Sequence, residues 1–222
     1  IAPGSLARSM LYKRMTSTGS DRMPPLGRNV IDAEAVALIA SYIETVTVPQ
    51  VVQVPGHLTN ISGRSFAGTG NQTLITGFVV GGTGTKTILV RGIGPALLDF
   101  GLTDALRDSF LKVVNTGGST ILQNDNWGDG GNAQPVSATS ATLGAFALAA
   151  GSRDAATLVT LAPGAYTAHV TGLNLSTGVG LVEVYDADPS STAALLRNFS
   201  LRTQIGTDGN ILIAGFVVGG DL

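Results

Sequence analysis

Leu58–Gly82 reads LTNISGRSFAGTGNQTLITGFVVGG, and Leu196–Gly220 reads LRNFSLRTQIGTDGNILIAGFVVGG. The copies are offset by 138 residues and share 14 of 25 positions. Leu, Asn, Ser and Arg recur at alternate positions, as Leu58, Asn60, Ser62, Arg64 and again as Leu196, Asn198, Ser200, Arg202. Alternation of this kind is the period of a β-strand. Each copy then ends in a second strand pattern closed by Gly-Phe-Val-Val-Gly-Gly. Self-similarity at a fixed offset marks a repeat architecture. One whole unit and the opening of the next are present, which predicts a piece of an array.

Between the copies the pattern is of short strands. Lys86–Arg91, Leu111–Asn115, Thr120–Asn124, Ala155–Leu161, Gly164–Gly172 and Val179–Tyr185 read as strands, with turn residues every 8–12 positions. Gly81–Gly84 reads as a hairpin turn, Pro163-Gly164 as a strong turn signal, and Asn124–Gly131 (NDNWGDGG) as a tight polar loop around the only Trp. Pro95–Leu111 is the exception: it predicts one or two helical turns, with Thr103 or Asp104 as a cap. In 164–172, Tyr166, Ala168 and Val170 share one face and Thr167, His169 and Thr171 the other, as in an antiparallel sheet wet on one side. The fold class predicted is mainly β, an antiparallel β-sandwich with a short helical N-terminal segment.

Residues 1–48 differ from the rest. Ser5–Met15 predicts a short helix. Asp32 is an N-cap candidate, and Val36, Ile39, Ala40 and Ile43 follow at i, i+3, i+4, i+7 as an amphipathic stripe ending near Thr45. The organisation expected is a helical segment at 1–48, a linker at 49–56, a β-sandwich unit at 57–195 and the opening strands of a second copy at 196–222.

The composition narrows the function classes. Hydrophobic residues make up 44% and charged residues 13%, enough to build a core, while the net charge of −2 gives no footprint for nucleic acid. Cysteine is absent, which excludes disulfides, thiolate catalysis and covalent haem attachment within the chain. No apolar run reaches the roughly 18–20 residues of a membrane span. The start at Ile1, with neither Met nor signal peptide, reads as a mature, processed or fragmentary chain, and low charge, Gly/Thr/Asn richness and repetition fit an exported protein.

Candidate site residues are few. Asp125, Asn126 and Asp129 offer clustered oxygens for calcium, although their spacing departs from the established calcium-loop pattern, and Asn and Asp that build turns are the favoured reading. Trp127 is expected to cover the end of the sandwich. His57 falls in a linker and His169 on a polar strand face, with no Ser-His-acid spacing, so the reading is non-enzymatic. Gly81–Thr87 lacks the Gly-Lys step of a phosphate loop. Asn60, Ser62, Asn198 and Ser200 are expected to make the same backbone hydrogen bonds in equivalent strands. Leu196, Asn198, Ser200, Arg202, Leu212, Ile213, Phe216 and Val217 are the assembly candidates: they either complete this chain's own sheet or pair with another chain by strand addition.

Two resemblances add to this reading. Asn60-Ile61-Ser62, Gly77–Gly81, Ile88–Pro95, Asn124–Trp127, Gly144–Leu148, Leu161–Thr167 and Leu181–Asp186 follow in the order found in tandem β-repeat modules of large exported bacterial proteins. Residues 57–222 resemble that family and, more loosely, the C-terminal β-sandwich modules of secreted bacterial enzymes. The resemblance implies an accessory role at the cell surface or outside it: arraying, display or adhesion, with self-association or neighbouring repeat units as partners. Pro3-Gly4, Ser9–Tyr12, Arg22–Gly27 and the Asp32–Ile43 helix resemble the tail of a c-type cytochrome domain. That family implies Met23 as an axial haem ligand, with the haem carried by an upstream domain. The alternatives to a structural module are a fragment of a haem-bearing surface electron-transfer protein or dehydrogenase, and a carbohydrate-binding module.

Overall fold

The structure, a computed structural model, describes residues 1–22, 30–47, 56–207 and 211–220. It divides into two compact units, Ile1–Val52 and Gln53–Leu222. In the first, a 3-10 turn at Leu6–Arg8 leads into α1 (Met10–Thr16), and α2 spans Ala33–Thr45. Asp32 caps α2 by accepting from the Ala35 amide, which satisfies one of the orphan first-turn donors. Val36, Ile39, Ala40 and Ile43 form the less exposed side of α2, as their spacing predicts. The Gly4 amide donates to the Ile43 carbonyl at 2.8 Å and ties the first residues to the end of that helix. Among the described residues no helix is long and apolar enough to cross a membrane.

The second unit is antiparallel β. Its strands are β1 (His57–Ala67), β2 (Leu74–Gly82), β3 (Lys86–Ile93), β4 (Ser109–Asn115), β5 (Thr120–Asn124), β6 (Ala155–Leu161), β7 (Gly164–Gly172), β8 (Gly178–Asp186), β9 (Ala194–Arg202) and β10 (Ile213–Gly219). They form one sheet in the order β5-β4-β7-β2-β9-β1-β8-β3-β6, with β10 added on β1. The sheet folds over so that its halves face each other like a sandwich. Ile61, Phe78, Val80, Val90, Leu111, Val170, Val182, Val184 and Leu196 fill the space between them. Val170 Cγ2 lies 3.1 Å from where a Cβ would stand on Gly92, so that glycine lets the two layers approach.

Several local expectations need correction. Gly81–Gly84 and Pro163-Gly164 do turn the chain, but neither makes a hairpin: β2 pairs with β7 and β9, and β3 with β6 and β8. These turns carry the chain from one layer to the other. Among the described residues β4 and β5 are the one sequential pair that hydrogen-bonds. Pro95–Phe100 is a 3-10 helix, as the pattern suggested, but no helix starts at Thr103 or Asp104. Ala105 instead makes a parallel bridge to Val179. The NDNW loop leads into α3 (Ala133–Thr142), a helix whose weak apolar periodicity hid it. His57 is not in a linker; it is the buried first residue of β1.

Trp127 does not cover an end of the sandwich. It packs with Val136 of α3 on Leu89, Ala156 and Tyr185. Leu89 and Tyr185 alternate with the core residues Val90 and Val184, so this cluster covers the outer face of the β8-β3-β6 layer.

Candidate functional site

The two copies of the repeated block meet in a crossed arrangement. β1 and β9 are the two first strands; β2 and β10 are the two second strands. Neither copy pairs with itself: β9 pairs with β2, and β1 pairs with β10. The two joints share one register. Leu196 stands opposite Val80 and Arg202 opposite Ile75; Leu58 stands opposite Val218 and Arg64 opposite Ile213. Each first strand carries one extra residue in a bulge, next to Leu58 in β1 and between Arg197 and Ser200 in β9.

The recurring residues fit this joint. A Cβ at Gly215 would lie 2.8 Å from Ser62 Oγ, and one at Gly77 would collide with Ser200 Oγ. A Cβ at Gly219 would lie 2.6 Å from Thr59 Cγ2, and one at Gly81 2.9 Å from Arg197 Cδ. The glycines of GFVVGG therefore admit the side chains of the opposing first strand, at equivalent places in both joints.

The joints differ in what surrounds them. β2 has β7 on its other edge, and Phe78 and Val80 are each 1% exposed, with Phe78 stacked on Tyr166 at 5.8 Å. β10 pairs only with β1 among the described residues, and the equivalent Phe216 and Val218 are 63% and 58% exposed. Of the assembly candidates, Leu196 lies in the core, Ser200 faces Gly77, Arg202 and Val217 are exposed, and Leu212 precedes β10, which Ile213 opens. Asn60 and Asn198 do not make the same bonds. Asn60 Nδ2 donates to the Val184 carbonyl at 3.4 Å, whereas Asn198 adopts φ 60° and its Oδ1 accepts from the Phe199 amide at 2.7 Å. The bulges sit one step apart, and that displacement puts the two asparagines in different backbone settings.

In the NDNW loop, Asn126 Nδ2 donates to Asp129 Oδ2 at 3.1 Å and to Asp125 Oδ2 at 3.5 Å. Burial, then Asp108 and Asp129, raise the Asp125 carboxyl above its usual range. Among the described residues no group of three or more His, Cys, Asp or Glu could hold a metal ion. Asn124 has a separate task. Its Oδ1 accepts from the Ala156 amide at 2.9 Å, and Asn132 Nδ2 donates to the Ala156 carbonyl at 2.6 Å. These two side chains satisfy both backbone groups of Ala156 on the free edge of β6, and Asn124, the last residue of β5, thereby links the two ends of the sheet. Met23 lies outside the described residues. His169 Nε2 is 2.9 Å from Thr167 Oγ1 on the outer face of β7; burial first, then Lys112 and Arg202, lower its pKa.

Two buried ionic clusters were not singled out from the sequence. Lys86 Nζ lies 2.9 Å from Asp186 Oδ2 and donates to the Asp188 and Ser191 carbonyls. Arg91 Nε lies 3.2 Å from Glu183 Oε2, under the ring of Phe146, whose centroid is 4.3 Å from the guanidinium carbon. Tyr185 donates to Glu183 Oε1 at 2.9 Å. Burial raises the Glu183 carboxyl, an effect that Arg91 and the Tyr185 bond reduce. Charges at the ends of KTILVR and inside VEVYD were the available signal. Comparison with family models, curated proteins and solved structures finds no match for this chain.

Proposed function

We propose that residues 57–220 form a non-catalytic structural module of an exported, tandemly repeated surface protein. Units join by pairing the first strand of one copy with the second strand of another. The crossed pairing of the two block copies carries this reading. The second copy supplies β9 from Leu196 onward; Leu196 is buried in the core and Phe199 and Leu201 pack against it, so the unit's core is incomplete without residues of the next copy. Main-chain bonds give such a joint its strength, and the recurring Ser–Gly contacts give it register. The low charge, the repetition and the resemblance to exported repeat modules support the extracellular setting.

The test is complementation. A chain ending at Ala193 loses β9 and β10 and is expected to lose the near-ultraviolet circular dichroism of Trp127. A peptide spanning 194–220 is expected to restore that signal at one-to-one stoichiometry. A shortened chain that keeps the native signal and ignores the peptide refutes the reading.

A further inference from the structure

The edge of β1 that faces β10 is one of two equivalent acceptor edges in the molecule. The other, on β9, takes β2, a strand of the same GFVVGG sequence in the same register. The β9–β2 joint is locked by the core and by β7. The β1–β10 joint has no such lock: Phe216, Val217 and Val218 are 63%, 53% and 58% exposed, and β10 hydrogen-bonds to β1 alone among the described residues. Opening it releases one ladder and uncovers little apolar surface.

We propose that this edge of β1 accepts β10 from a second copy of this chain, so that the joint closed within one molecule re-forms between molecules. The proposal rests on the strand-joined reading above. The second copy is favoured as the occupant because the edge already holds that sequence, and the Ser62–Gly215 and Thr59–Gly219 fits would be reproduced by any second-strand copy. Reciprocal exchange between two molecules closes a dimer, whereas one-way exchange passed from molecule to molecule gives an open chain. Closure within one chain has an effective concentration of about millimolar order. Exchange is therefore expected to be minor at about 10 µM and to match internal closure near about 1 mM, a rise of roughly a hundredfold.

The absence of native cysteine makes the test direct. Arg64 and Ile213 stand opposite each other, within the Cα spacing that a disulfide spans. Full chains carrying Arg64→Cys are mixed with full chains carrying Ile213→Cys, incubated at both concentrations, oxidised and weighed intact. Heterodimer in excess over both homodimers, rising with concentration, is the expected result. A third chain carries both substitutions and is oxidised when dilute; it is expected to form its internal disulfide and then to exchange no longer. Cross-linking in statistical proportion at about 1 mM overturns the proposal. If the double variant still forms its internal bond in that case, the joint stands and only the exchange fails. If neither bond forms, the strand-joined reading fails with it.

Discussion

Phe78 and Phe216 occupy the same place in the two GFVVGG sequences but opposite environments, which makes them an internal control. Phe78 is buried between the layers and stacked on Tyr166 with an interplanar angle of 25°. Phe78→Ala removes a buried ring and leaves a cavity, at a cost of about 3–5 kcal/mol. The lost stacking falls within about 0.5–1.5 kcal/mol. In a unit of this size each kcal/mol shifts Tm by about 2–4 °C, so a fall of roughly 6–20 °C is expected. Phe216→Ala uncovers nothing and is expected to stay within about 0.5 kcal/mol, or under about 2 °C. Thermal and urea melts followed by Trp127 fluorescence measure both, and an unchanged urea slope shows that the cooperative unit is intact. Equal losses in the two variants would refute the reasoning, because β10 would then be as well covered as β2.

Lys86→Met leaves the Asp186 carboxylate without its closest cation in a buried site and is expected to cost about 3–5 kcal/mol by urea melt. Adding Asp186→Leu removes the stranded charge and is expected to recover most of that loss. Asn124→Ala strips the partner from the Ala156 amide at the end of the sheet; a loss of about 1–3 kcal/mol and faster exchange of that amide are expected. His169 has a folded pKa below its ordinary 6.5, so the unfolded chain binds the proton more readily. Its stabilising contribution is complete above pH 6.5 and is lost as pH falls below that value towards the folded pKa. Urea midpoints at neutral and mildly acidic pH should show this, and His169→Gln should remove the slope.

Period-two patterning made the strands legible from Val-, Leu- and Thr-rich runs, and the Asp32 cap and i, i+3, i+4, i+7 stripe made α2 legible. Strand partners were not. A turn such as Gly81–Gly84 says that the chain reverses, but whether the next strand pairs or crosses to the other layer depends on long-range contacts. Here the Thr83 amide donates at 2.7 Å to the carbonyl of Ala193, the residue just before β9, and no local signal encodes that. Helix α3 was hidden because Ala, Ser and Thr dominate it and only Val136 and Ser140 are buried. The repeated Asn, Ser and Arg positions marked the joint without revealing its crossing. The two serines face glycines, which carry no pattern of their own, and the two arginines face Ile213 and Ile75.

Positions where the copies differ explain why the two first strands can lie side by side. β9 follows β2 and precedes β1 in the sheet, but it touches β1 through a single pairing, Leu58 with Leu196. The rest of that seam is closed by side chains. Leu201 lies over Gly63, with its Cγ 3.2 Å from where a Cβ would stand, and Thr203 Oγ1 donates to the Phe66 carbonyl at 2.9 Å. Gly63 and Leu201 are the same position of the block. Two leucines there would compete for one space, and two glycines would leave a gap that forfeits contact on both sides. The seam therefore needs unequal copies, whereas the joints need equal ones: Ser62 and Ser200 meet Gly215 and Gly77 in the same way. At these positions identity serves the strand ladders, and divergence serves the seam where the copies lie side by side.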